Sequence, residues 1–200
     1  MPLQNRVDPF GQLVASPARG TLFGNRGGRF HRDDRTLGSR RFASRQWICC
    51  VLDFKGRRRD VWGKGYTELF FLDEVTALSA GHRPCFECRR AEAKAFAAAF
   101  AAGSNHGTIP SAPAMDRVLH AERLGGAMTR DIGDLPDGVV IAQSGTVFAL
   151  RGDRLLRWTP TGYDRKAFRP VGSAVVVLTP PSIVRALAAG YAPRWHPSAF

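Results

Sequence analysis

The sequence predicts an α+β fold: a small β-hairpin and helix module, then a second small α+β unit. Three observations carry this. Runs of β-forming residues occur near residue 50 and again after residue 139. An alanine-dense stretch, RRAEAKAFAAAFAAG over 89–103, reads as a helix closed by Gly103. Between the two lies SNHGTIPSAPAM, 104–115, polar and carrying two prolines, which reads as a linker. The expected division is therefore 1–103, a linker over 104–115, and 116–200. A chain of 200 residues suffices for such a pair of units and their cores.

Taken in order, residues 1–45 are rich in Gly, Arg, Asp and Pro and read as a basic arm, with a short strand near 20–23. QWICCVLDF, 46–54, is a strand. KGRRR then reads as a turn, with DVWG as the return of a hairpin. YTELFFLD, 66–73, is the next strand, and EVTALSAG, 74–81, a short helix with Gly81 at its C-terminal end. DRVLHAERL, 116–124, makes a helical turn or two. VVIAQ, TVFALRGDRLLRW and AVVVLT follow as strands, with RGD at a hairpin tip. PPSIVRALAAGY closes the chain as a short helix with proline at its start. FFLDEVTALSAGHRP and VVLTPPSIVRALAAGYAP share one plan: apolar strand, short helix, Ala-Gly, ring-bearing residue, proline.

The formal net charge is +12, from 29 Lys and Arg against 17 Asp and Glu. The excess is uneven, since the first 64 residues hold 14 Lys and Arg and only 5 Asp and Glu. Such a field favours polyanions, so the expected partner is nucleic acid. Arg40, Arg41, Arg57, Arg58, Arg59, Arg89 and Arg90 are the candidate phosphate contacts. No apolar run approaches the roughly 18 residues that span a bilayer, which argues against a membrane protein. MPLQNRVDPF has no hydrophobic leader core, so the expected compartment is the cytoplasm. No signal for an oligomeric state is present.

The chain has four cysteines, Cys49, Cys50, Cys85 and Cys88. In a reducing compartment, clustered cysteines read as metal ligands or redox groups rather than as a disulfide scaffold. Cys85-Phe-Glu-Cys88 has the C-x2-C spacing that puts two thiolates at adjacent corners of a zinc tetrahedron. Arg83, Arg89, Arg90 and the start of the following helix are expected to lower the thiol pKa values. Cys49 and Cys50 are adjacent in a strand, where neighbours face opposite sides. A regular strand offers one of them to the metal, a bulge both, with His31 and His82 competing for the remaining corner.

ELFFLDEVTALSAGHRPCFECRR resembles the second half of the zinc-binding domain of Ada-type DNA repair proteins, over about residues 66–90. The resemblance implies one zinc held by four cysteines, with Cys85 and Cys88 as the second ligand pair. It also implies DNA as a partner more than RNA, and a thiolate that accepts a methyl group from a DNA phosphotriester. The chain departs from that family in its first pair, which has adjacent cysteines in place of two separated by three residues. Residues 104–200 carry no such resemblance.

The expected function is thus a zinc-binding, nucleic-acid-binding protein in DNA repair or processing. Alternatives are an alkyl-accepting enzyme using Cys49 or Cys50, and a Mg²⁺-dependent nuclease using Asp53 and Lys55 with Asp33 or Asp34. A zinc-stabilised interaction protein with no nucleic-acid role is the third. His120-Ala-Glu122 followed by Pro-Cys-x-x-Cys would suggest a zinc deaminase, but here the order is reversed.

Overall fold

The computed structural model describes residues 1–104 and 107–200. Among the described residues it has two six-stranded sheets with four α-helices, in keeping with an α+β class. The first sheet joins β1 (Arg6–Val7), β2 (Leu13–Val14), β3 (Leu22–Arg26), β4 (Trp47–Val51), β5 (Leu69–Phe71) and β6 (Arg83–Pro84) in the order β2-β1-β5-β3-β4-β6. The second joins β7 (Met128–Asp131), β8 (Val140–Gln143), β9 (Thr146–Arg151), β10 (Arg154–Thr159), β11 (Gly162–Phe168) and β12 (Ala174–Val177) in the order β11-β10-β9-β8-β12-β7. The helices are α1 (Glu74–Ser79), α2 (Arg90–Gly103), α3 (Ala112–Leu124) and α4 (Pro181–Ala188).

Within the first sheet, β3 pairs antiparallel with β4, placing Gly24 opposite Cys49 and Phe23 opposite Cys50. Gly24 is required there, because a Cβ would lie 2.0 Å from the Ile48 carbonyl oxygen. The chain then leaves β5 into α1. Asp73 caps that helix by accepting from the Thr76 amide at 2.9 Å. Gly81, at φ 78°, ends it. The Gly81 and His82 amides donate to the carbonyls of Leu78 and Ala77, the paired bonds of a Schellman ending. The same ending recurs at α4, where Gly190 (φ 96°) and Tyr191 donate to Leu187 and Ala186. The plan shared by the two sequence segments is therefore shared by their backbones.

One hydrophobic cluster draws Leu78, Phe96 and Phe100 together with Met115, Leu119, Ile141, Val175 and Ile183. A second puts Leu72 and Val75 against Val140, Ala149 and Leu156. Both clusters combine side chains from before and after the stretch expected to be a linker. The stretch itself already enters α3 at Ala112, and its residues 105 and 106 lie outside the described ones.

Several expected elements are corrected. The turn expected at KGRRR begins at Lys55 and Gly56, with the Arg57 amide donating to the Phe54 carbonyl at 3.2 Å, but DVWG, 60–63, does not return as a strand. Lys55 and Gly56 take the positive φ of a tight turn (54° and 63°), whereas Trp62, in the expected return strand, also takes positive φ (59°), which an extended strand does not allow. Trp62 instead turns inward and stacks on His31 at 5.2 Å between ring centroids. Its amide and indole N–H donate to Glu68. The N-terminal 45 residues contribute three strands to the first sheet and are more than an arm. In the second unit β7 and β11 were not expected. The hairpin at RGD is present as β9 and β10, with Arg151 opposite Arg154.

His82 is fully buried behind the first sheet. Its Nε2 accepts from Arg26 Nε at 3.3 Å, and its ring packs against Phe71 and Trp47. Burial, with the nearby Arg26 and Arg123 charges, holds its pKa well below the usual histidine range. Below pH of about 6.5 the unfolded chain binds a proton that the folded chain refuses. Stability present above that pH is therefore lost as pH falls, at up to about 1.4 kcal/mol per unit. His82→Gln should lose less Tm than the wild type between about pH 7.5 and 5.5 by circular dichroism. Parallel losses in the two proteins would assign the acid sensitivity elsewhere.

Candidate metal centre

The site begins with strand alternation. In β4, Cys49 faces the core beneath the first sheet, among Leu22, Leu69 and Phe71. Cys50 faces the opposite side, with Phe23 and Cys85. β6 pairs parallel with β4, and the Cys85 amide donates to the Cys49 carbonyl at 3.0 Å. That bond sets Cys85 beside Cys50. The turn after Cys85 returns the chain into α2 and brings up Cys88.

The thiol sulfurs of Cys50, Cys85 and Cys88 all lie within 4.8 Å of one another and can hold a metal ion. All four cysteines are free thiols. The Glu87 amide points at Cys85 Sγ at 3.4 Å, an N–H···S contact that supports a charged sulfur. Cys85 is held far below the usual thiol range, first by the Cys50 and Cys88 thiols hydrogen-bonding to it. Cys50 is driven up as the donor to the same partners. The three sulfurs thus share their protons as one unit, and a soft divalent cation can replace those protons.

Cys49 takes no part in this group. It is buried, and its sulfur accepts from Arg89 at 3.1 Å. Burial pushes its thiol up. The expected four-cysteine site is therefore corrected to three, because an unbulged strand turns Cys49 away. His31 is not the fourth partner either. Its Nδ1 lies 2.8 Å from Thr67 Oγ1 and its Nε2 3.0 Å from the Gly63 carbonyl. His82 sits behind the sheet as described. Among the described residues no His, Asp or Glu joins the three thiols.

A cavity of about 420 Å³ opens beside the cluster, between the 54–59 loop, β3–β4 and the Cys85–Cys88 turn. Asn25, Gln46 and Tyr66 line it, none of which sequence reasoning singled out. Arg57 and Arg59 also line it. Arg57 pairs with Glu87 at 2.7 Å across the mouth. Arg59 stacks over Phe23 at 3.9 Å and donates to the Leu52 carbonyl. Arg40, Arg41, Arg58 and Arg90 are exposed.

Arg89 is corrected. Its side chain is buried, donating to Glu74 at 2.7 Å and to Cys49, so it reaches no phosphate. Arg83 is likewise buried and held by both oxygens of Asp116 at 2.9 and 2.8 Å. Their charges are matched by carboxylates, and the low Cys85 pKa comes first from its thiol neighbours. Asp53 is exposed, and Lys55 Nζ lies over Phe54 at 5.3 Å in a tight turn. Asp33 pairs with Arg29 and Asp34 accepts from Thr36. His120 and Glu122 line a different cavity from the thiols. No helix among the described residues is long and apolar enough to cross a membrane.

No family model matches the chain, and neither does any curated protein or solved structure.

Proposed function

We propose that the chain is a zinc protein that binds nucleic acid, DNA ahead of RNA, across the face where the thiol cluster meets the 54–59 loop. The observation that carries this is the three-thiol group beside a cavity rimmed by Arg57 and Arg59. Three sulfurs suit zinc over calcium or magnesium, which take oxygen ligands. Three protein ligands leave the fourth position to a water or a ligand, as in zinc sites that do chemistry. The guanidiniums supply phosphate contacts that give affinity and salt dependence without sequence reading. A reducing compartment such as the cytoplasm keeps the thiols available.

The reading is tested by fluorescence anisotropy with labelled duplex and single-stranded DNA over a salt series. Binding should weaken steeply with salt, and Arg57→Gln and Arg58→Gln should each flatten the log–log slope by about 1. Binding that is undetectable at low ionic strength, or indifferent to salt, would overturn it.

The open cavity also favours a second reading, in which the cluster accepts an alkyl group. A thiolate of the cluster, with Cys50 now the member of the first pair in place, would attack the methyl carbon of a DNA phosphotriester, and zinc held by the three sulfurs would supply the charge that keeps it deprotonated. The S–C bond forms as the C–O bond breaks, and the phosphodiester leaves with the electron pair. Mass spectrometry after incubation with methyl-phosphotriester DNA checks this, and an unchanged protein mass removes it.

A further inference from the structure

A second and larger cavity, about 660 Å³, lies between the Pro9–Leu13 turn, the Arg41–Trp47 segment, the end of α3 and the Val177–Pro181 segment. Its volume falls within the range of small-molecule sites. Its wall is apolar at Phe10, Leu13, Phe42 and Met128, and cationic at Arg26, Arg41 and Arg123.

Arg26 and Arg123 set it apart from the rest of the fold. Elsewhere the protein gives each fully buried arginine a carboxylate: Arg83 has Asp116 and Arg89 has Glu74. Arg26 is only 2% exposed, yet among the described residues it has no ion pair. It donates instead to the Gly11 and Arg41 carbonyls and to His82. Arg123 is only half-buried, and it too bonds only carbonyls, those of Gly81 and Arg45. Both guanidiniums lie over the one Trp47 ring, at 3.9 and 4.4 Å from its centroid.

A buried charge normally has a counter-charge, because desolvation is costly. Burial and, behind it, the Arg123 charge pull Arg26 down to about 9. Arg123 falls to about 10, first through burial. The acids nearby are engaged elsewhere. Glu122 is held by the Ser182 amide and hydroxyl and faces Arg185 at 3.7 Å. Asp8 accepts from the Gln12 amide. Each guanidinium has five N–H groups, and the bonds above leave some of them free. His120 Nδ1, on the same wall, is buried without a partner.

We propose that this cavity binds a small organic anion, a carboxylate or a phosphate monoester on an apolar or aromatic body. Its charged end meets Arg26, Arg41 and Arg123, and its body lies against the apolar wall. The site is independent of the thiol cluster and stands whether or not the metal reading does.

The test is isothermal titration calorimetry of the full chain with phenyl phosphate, benzoate and uncharged benzamide. At least one anion should bind one-to-one with a Kd of about 1 mM or tighter, and benzamide at least about tenfold more weakly. Tighter phenyl phosphate would assign the site to phosphate monoesters, and tighter benzoate to carboxylates. Arg123→Gln and Arg41→Gln should each weaken the preferred anion about tenfold. Arg41 is exposed, so its variant tests the site even if the Arg123 variant fails to fold. The proposal falls if neither anion binds, if benzamide binds equally, or if Arg41→Gln leaves affinity unchanged. Displacement of phenyl phosphate by a single-stranded oligonucleotide would also overturn it, giving this face to a nucleic-acid backbone.

Discussion

Cys85→Ser should reduce bound zinc from one ion per chain to none, and Cys50→Ser and Cys88→Ser should do the same. Cys49→Ser should keep the full ion. The difference rests on geometry: three sulfurs converge within 4.8 Å, and the fourth faces the core with Arg89 on it. Metal binding to the folded state adds its free energy to stability. At free zinc about 1,000 times the Kd that is about 4 kcal/mol, or about 8–16 °C of Tm for a chain of this size. Stripping the metal with a chelator should lower Tm by the same margin in the wild type and in Cys49→Ser. It should change nothing in Cys85→Ser. Elemental analysis and thermal melts decide it. Zinc retained by Cys85→Ser, or lost from Cys49→Ser, would show that the ligand set is wrong.

How much of this was legible can be judged from particular residues. The C-x2-C pair and the β-rich run at 46–54 are local signals, and both ended up at the site. Alternation in a regular strand sends Cys49 and Cys50 to opposite faces, but it does not say which face carries the other thiols. That is decided by the parallel pairing of the two-residue β6 with β4, a long-range contact. β1 and β2 are also two residues each, too short for a periodic pattern. β11, GYDRKAF, is buried at its first two residues and exposed after them, so it lacks the apolar alternation of a half-buried strand. The return strand expected at 60–63 is absent, since Trp62 takes positive φ and turns onto the His31 ring and Glu68, contacts that lie far off in sequence or outside any strand pattern. Arg89 looked like a phosphate contact beside Arg90. Its partner, Glu74, lies fifteen residues earlier on another helix, and no local rule pairs them.

Glu74→Ala should be among the most damaging single changes in the chain, although it lies outside the thiol cluster. The Glu74 carboxylate accepts from Arg89 at 2.7 Å, from the Tyr191 hydroxyl at 2.6 Å and from the Arg194 amide at 2.8 Å. These donors come from the start of α2, the end of α4 and the C-terminal segment. One buried carboxylate therefore ties the metal turn to the second unit. Its removal leaves the buried Arg89 guanidinium with no carboxylate nearer than Glu92, at 3.6 Å, and strips the Tyr191 hydroxyl of its partner. Breaking a buried pair from one side costs about 3–5 kcal/mol, because the other charge stays behind. For 200 residues that is roughly 6–20 °C of Tm. Replacing Arg89 as well, as Glu74→Ala with Arg89→Met, removes the stranded charge and should recover part of the loss. Melts of the two single variants and the double complete the cycle. A Glu74→Ala cost under about 1 kcal/mol, or a double variant as unstable as the two losses added together, would mean that Arg89 is not held by Glu74 in solution. Recovery in the double would show that the penalty lies in the unpaired buried cation, which is the condition the protein leaves in place at Arg26.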